Sequence, residues 1–228
     1  MNYTFQFGPL VAYLPQLLNG LWLTLVLSFL GIFGGFMIGV ACAVASTLPS
    51  RLPRFLVRCY VEVMRNTPLL VQIFVIFFGL PNIGIRMSPM NSVLIALMLN
   101  NGGYIAEIVR GGIQSTHRSQ FEAAESLGLS YFQTLRFVIL PPALEKVFSP
   151  VVSQCVLLML STSLVSAIGV EDLTGAAMIA SSETFRTMEV YLVIAAIYVS
   201  LNFVFRALLN AAGLIIFTRS RRTLLRRT

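Results

Sequence analysis

Few side chains in these 228 residues could make or break a bond. There is one histidine, His117, and three cysteines, Cys42, Cys59 and Cys155, none in a close-spaced ligand pattern, so metal and disulfide chemistry has little to work with. No G-x-x-x-x-G-K-[ST] loop is present, and the glycines at 31, 34, 35 and 39 sit in an apolar run without the lysine a phosphate cradle needs. What the chain does carry is polar groups set sparsely in apolar surroundings. Glu62 and Arg65, and again Glu107 and Arg110, stand three apart, a spacing that closes an ion pair on one helix face. Both are read as structural pairs. Asn100 and Asn101 lie deeper in an apolar run, where an amide is costly unless bonded. They are the first candidates to line a path for a polar solute, with Gln72, Ser161, Thr162 and Ser163 behind them. The hydroxyls have an alternative, because they can bond back to their own helix carbonyls. The chemistry open to such a set is recognition and passage of a solute.

The elements that must hold these groups are membrane spans. Charged residues make up 11% of the chain and apolar residues 57%, against roughly 25% charged in an average soluble protein. Charge-free runs of about 20 residues recur, the length a helix needs to cross a bilayer. The pattern predicts an all-α membrane protein with five transmembrane helices in one domain, 1–228. Span one is placed at 19–46 and is too long for a signal-peptide core. Its Gly31, Gly35 and Gly39 share one face, open to close approach by another helix. Span two, at 57–80, has only 12 clean apolar residues from Leu69. It must include Glu62 and Arg65 or begin as an interfacial segment, and Pro68 permits a kink between the parts. Spans three, four and five fall at 88–109, 147–168 and 190–210, with 169–189 a loop.

The net charge of +7 is a membrane signature and not a nucleic-acid one, because the cations come in short blocks between spans. Arg51, Arg54, Arg58 and Arg65, then Arg110, Arg118, Arg136 and Lys146, then Arg219, Arg221, Arg222, Arg226 and Arg227 fall on one side if the spans are five. The positive-inside rule then puts the N-terminus outside and the C-terminus in the cytoplasm. The longest cytoplasmic connection, 110–146, is too small for an enzyme domain. It predicts a short helix from Ser119 to Leu135, capped by Ser119 with Glu122 as capping-box partner. Gly128 allows a turn or a close contact, and Pro141 and Pro142 stop the structure before span four.

That connection contains EAAESLGLSYFQTLRFVILP at 122–141, which resembles the EAA motif of ABC importer permeases. Glu122, Ala123, Ala124 and Gly128, then Ile139, Leu140 and Pro141, fall in its pattern. The likeness extends along the chain. EVMRNTPLLVQIF at 62–74, YIAEIVRGGIQS at 104–115 and TSLVSAIGVEDLTG at 162–175 are similar to segments of the polar amino acid (histidine/glutamine/arginine-type) subfamily. Two departures stand out: Ser119 replaces a common glycine before Gln120, and Leu160 stands where a lysine is frequent. The second bears on the solute and not on the permease resemblance.

The resemblance implies a MetI-like membrane domain in the bacterial inner membrane. It implies pairing with a second permease subunit, identical or paralogous, around a translocation path. A cytoplasmic ABC ATPase dimer would hold ATP and Mg, this chain binding no cofactor and catalysing nothing itself. An extracytoplasmic solute-binding protein would deliver a polar amino acid or a relative such as an opine. Glu122, Ala123, Ala124, Gly128, Leu140 and Pro141 are then the ATPase-coupling residues. From the residues alone, a secondary transporter driven by an ion gradient and a membrane scaffold that recruits a soluble partner stay open.

Overall fold

A computed structural model describes residues 4–48 and 50–216; the basic tail from Arg219 to Arg227 lies outside them. Every regular element among the described residues is helical. The first span starts earlier than expected: a 3-10 turn, Gly8–Tyr13, runs directly into α1, Leu14–Thr47. Gly31, Gly35 and Gly39 line its buried face against α4, Pro89–Gln114. A Cβ added at Gly35 would stand 2.6 Å from the Asn101 amide, and one at Gly39 2.6 Å from Ile105. The glycine face is therefore a seam that brings two helices to backbone contact.

Span two is not one helix over 57–80. α2, Arg51–Asn66, ends where Thr67 turns extended, φ −118° and ψ 141°, the conformation a following proline imposes. α3, Leu69–Phe74, restarts after Pro68 and continues through a π turn, Val75–Gly79, and a 3-10 turn, Leu80–Ile83. The two parts meet at 110°. Among the described residues four helices are long and apolar enough to cross a membrane, and the bent pair makes a fifth span if it counts as one.

The third connection departs from expectation in two ways. α5 covers only Arg118–Ser126. After it, the chain runs helically from Tyr131 to Lys146, as α6, Tyr131–Gln133, a π turn, Thr134–Ile139, and α7, Leu140–Lys146. Pro141 and Pro142 do not stop this run. They occupy the first positions of α7, where a helix needs no N–H donor, and the π turn before them re-phases the ladder so that Leu140 N–H donates to the Leu135 carbonyl. α8, Phe148–Ser161, extends as a 3-10 turn, Thr162–Ile168.

The loop expected at 169–189 contains a helix, α9, Leu173–Thr184. Asp172 caps it, its Oδ1 accepting the Gly175 N–H at 2.9 Å. Its Ala176, Ala177 and Ala180 are buried with Leu17, Val190 and Ile194. Alanines give no strong hydropathy contrast, so periodicity does not reveal such a helix. α10, Thr187–Ile216, closes the fold.

Three apolar clusters follow the length of the bundle. One joins the N-terminal turn, α9 and α10; a central one joins Leu27, Ile73, Leu97 and Leu158; the last joins Ala43, Ile105 and Val109 to Leu135, Ile139 and Ala143. Around the last cluster, the end of α1, the end of α4 and the start of α8 meet. Tyr131 O–H donates to the Thr47 carbonyl and Lys146 Nζ to the Ser115 carbonyl.

Candidate functional site

The stretch 117–146 forms a helical hairpin with one exposed and one anchored arm. α5 begins after His117, with no side-chain cap. Ser119 lies inside the helix, its hydroxyl 3.0 Å from His117 Nδ1, so the expected Ser119–Glu122 capping box does not form. Glu122 instead pairs with Arg118 at 3.0 Å on the solvent side. The capping box of this region is eleven residues on: Ser130 Oγ accepts from Gln133 N–H, and Gln133 Oε1 accepts from Ser130 N–H. The S-x-x-Q spacing of Ser130–Gln133 was the signal for it.

Gly128 makes the turn between the arms. It adopts φ +72°, the left-handed region that a Cβ disfavours. Its N–H donates to the Glu125 carbonyl, and Leu129 N–H to the Ala124 carbonyl, the paired bonds of a Schellman ending. Ala124 is buried, while Glu122, Ala123 and Leu127 are exposed, Leu127 at 79%. The other arm is anchored by Leu135, Ile139 and Ala143. Leu140 is half-buried and Pro141 exposed.

A second polar group sits midway along the bundle, at the α2–α3 break. Gln72 Nε2 donates to the Met64 carbonyl at 3.0 Å, the Thr67 carbonyl at 3.2 Å and the Thr67 hydroxyl at 2.7 Å. Asn100 Nδ2 donates to Gln72 Oε1 at 3.0 Å and to the Met64 carbonyl at 3.3 Å. Gln72 and Asn100 thus occupy the carbonyls that the break leaves open. Asn101 faces another way, packed on Gly35, its Oδ1 accepting from Gln154 Nε2 at 3.4 Å. Its Nδ2 has no partner among the described residues. Ser161, Thr162 and Ser163 each donate to a carbonyl three or four residues back in their own helix.

The charged residues gather in a cleft of about 660 Å3 between the end of α1, α2 and the end of α4. Glu107 and Arg110 form the expected pair, with Arg110 Nε donating to Glu107 Oε2 at 2.9 Å. Glu62 and Arg65 do not. Arg65 reaches across to Glu107 at 3.7 Å, and Glu62 accepts from Asn66 Nδ2 at 2.8 Å. The α2 backbone approaches α4 through Gly102 and Gly103, opposite Tyr60 and Met64. That contact turns Arg65 toward Glu107, and a cross-helix partner wins over the local one.

Asp172, which sequence reasoning left in a loop, ties three elements together. Besides capping α9 it accepts from Tyr198 O–H at 3.4 Å, and the neighbouring Leu173 N–H donates to Thr24 Oγ1 at 3.1 Å. Burial pushes its carboxyl above the usual carboxylate range. No group of three or more histidine, cysteine, aspartate or glutamate side chains could hold a metal ion among the described residues.

Comparison with known proteins sets this architecture in context. The family described as the inner membrane component of binding-protein-dependent transport systems matches residues 35–213. The glutamine transport system permease protein GlnP of Escherichia coli is 35% identical over 199 residues, covering 86% of this chain and 91% of its own. The nopaline transport system permease protein NocM of Agrobacterium fabrum is 36% identical over 208 residues, covering 87% and 86%. Among solved structures, an amino acid ABC transporter crystallised with histidines matches with a TM-score of 0.84 at 35% identity, over 92% of this chain and 99% of that one. An inward-facing MetNI methionine transporter matches with a TM-score of 0.75 at 21% identity, over 92% and 98%, a likeness of fold.

Proposed function

This chain belongs to the family of inner-membrane components of binding-protein-dependent transport systems, and from that premise we propose how its parts work. As a permease subunit of an ABC-type importer it acts with a second permease subunit, an ATPase dimer and a solute-binding protein. ATP and Mg belong to the ATPase partner. In our reading residues 1–228 form one transmembrane unit whose arginine-rich end faces the cytoplasm, in keeping with the positive-inside rule.

α5 is the coupling helix. One observation carries this: its outer face, with Glu122, Ala123 and Leu127, is exposed, while the arm behind it is fixed to the ends of α1 and α4. A push on α5 by a soluble partner passes through the Gly128 turn into the 131–146 arm. That arm, by way of Leu140, Pro141 and Ala143, leads into α8. The solute is a polar amino acid or a close relative such as an opine, in line with the glutamine and nopaline permeases that resemble the chain. Gln72 and Asn100 hold the break in the second span next to the path, and Asn101 borders it from the α1 side, against Gly35. The serines and threonine at 161–163 border it.

Gly128→Glu tests the coupling role. The variant places a side chain on a left-handed residue at the exposed turn, where nothing stands within 4 Å of a Cβ, so the bundle itself folds. Expected is loss of ATPase co-purification and of ATP-driven uptake in proteoliposomes, with an unchanged elution profile of the permease. A fully assembled, ATP-coupled Gly128→Glu transporter would remove α5 from the coupling role. Uptake of labelled glutamine, histidine and nopaline by the unaltered transporter tests the solute class.

A further inference from the structure

Three polar groups line the charged cleft without a full set of partners. Arg58 has neither an ion pair nor a hydrogen bond among the described residues. Glu62 stands one turn further along α2, at a spacing that readily closes an ion pair, yet the two do not pair. Only its Oε2 is engaged, by Asn66 Nδ2 at 2.8 Å. Gln114, at the end of α4, brings a side-chain amide that has no partner among the described residues. The other ions of the cleft are taken: Glu107 is shared by Arg110 and Arg65, and Arg54 donates to the Leu48 carbonyl.

The cleft also continues the polar track of the amide joint. On α4, Asn100, Tyr104, Glu107 and Gln114 recur at helical spacing along one face. Arg65 follows Met64, whose carbonyl holds Gln72 and Asn100. Tyr104 O–H donates to the Arg65 carbonyl at 3.4 Å, and the Arg65 guanidinium lies 5.8 Å from the Tyr104 ring centre. α2 turns Val57, Arg58, Val61, Glu62 and Arg65 toward the cleft, while Leu52, Leu56 and Val63, on its other side, are more than half exposed. Ionisable groups turned inward at the end of a span mark a water-filled path. The cleft, about 660 Å3, falls in the range of small-molecule sites, which orient their ligand by a few convergent polar groups.

We propose that this cleft is a binding station for the amino-acid solute at the cytoplasmic end of its path. Arg58 takes the α-carboxylate, Glu62 the α-ammonium and Gln114 the polar side chain. A planar guanidinium fork matches both oxygens of a carboxylate, and the free Glu62 Oε1 accepts from an ammonium. Opposite charges one helical turn apart suit a zwitterion. A simple anion gains nothing from Glu62, and a simple amine gains nothing from Arg58. The station rests on the reading of the chain as an amino-acid permease with its arginine-rich end in the cytoplasm, and not on the coupling role of α5.

The test uses the assembled transporter in nanodiscs, free of nucleotide and of its solute-binding protein. Equilibrium binding is read with whichever of labelled glutamine, histidine and nopaline the unaltered transporter takes up in proteoliposomes. Expected is about tenfold weaker binding in Arg58→Gln and in Glu62→Gln, and no change in Arg206→Gln, an exposed arginine on α10 outside the cleft. The N-acetyl derivative and the decarboxylated amine of the same solute should not compete, since each lacks one of the two charges. Unchanged affinity in either cleft variant, an equal loss in Arg206→Gln, or competition by either analogue overturns the station. Uptake keeps the two readings apart. A transporter that takes up a solute but binds it equally in the cleft variants loses the station alone; one that takes up none of the three loses the amino-acid reading and the station with it. Should the variants not assemble, a diazirine-bearing glutamine analogue on the unaltered transporter decides. Crosslinks on residues 58–62 or 107–114 support the station, and crosslinks confined to other segments overturn it.

Discussion

Two proline-bearing stretches of this chain have opposite outcomes. At Pro68 the helix breaks and turns by 110°; at Pro141 and Pro142 the chain stays helical into α7. The first break leaves the carbonyls of Met64 and Thr67 without ladder partners, and side chains from two other helices, Gln72 and Asn100, take them up. In the second, the π turn over 134–139 moves the register so that the prolines meet no demand for an N–H, and packing of Leu135, Ile139 and Ala143 holds the run. A proline by itself does not set the shape of a helix. What decides is whether the freed backbone groups find partners within the helix or outside it. The first stretch is a joint held by amides, the second a rod held by apolar contact.

The contrast can be broken at the joint with the largest effect. Gln72→Leu leaves two carbonyls and the Asn100 amide short of partners, and should cost about 3 kcal/mol, read as a lower thermal midpoint in detergent. An unchanged midpoint would mean that amides do not hold the joint. In a Gln72→Leu, Asn100→Leu double-mutant cycle the two losses should be non-additive by about 1 kcal/mol, since the residues share a bond and the Met64 carbonyl. Strict additivity would separate them. Ser130→Ala, at the start of the rod, removes the capping bond and should cost about 1 kcal/mol. The smallest effect belongs to Pro141→Ala, below about 1 kcal/mol, with no change in spin-label distances across 131–146. A measurable bend or straightening there would show that the prolines shape the rod after all.

The same contrast explains what could be read from the residues in order. Four of the spans, the glycine seam of α1 and the turn at Gly128 were legible because each depends on a property of a single segment: apolar length, a four-residue spacing, a missing Cβ. The Glu107–Arg110 pair was legible as a neighbour on one helix. Glu62 and Arg65 had the same spacing, yet Arg65 left its neighbour for Glu107, since the close approach of α2 to α4 exists only in three dimensions. The prolines at 141 and 142 read as a stop because the π turn that accommodates them has no sequence signal of its own. α9 was hidden for another reason: small alanines bury against α1 without standing out in hydropathy. Gln72 and Asn100 were found as costly amides, and only the bend at Pro68 reveals the carbonyls they serve.

The N-terminal segment carries a consequence for how the chain is made. Gln6 N–H donates to Glu189, Arg186 donates to Gln6 Oε1, and Tyr13 O–H donates to Glu183. These partners lie 170 to 183 residues apart in sequence. Gln6 and Tyr13 therefore lack these partners until the chain through Glu189 has been synthesised. α1 enters the bilayer early with a loose end, and the arrival of α9 and α10 fastens it. Closure of the bundle is a late event in biogenesis, and a chain truncated before Glu183 would keep its first span but not its seal.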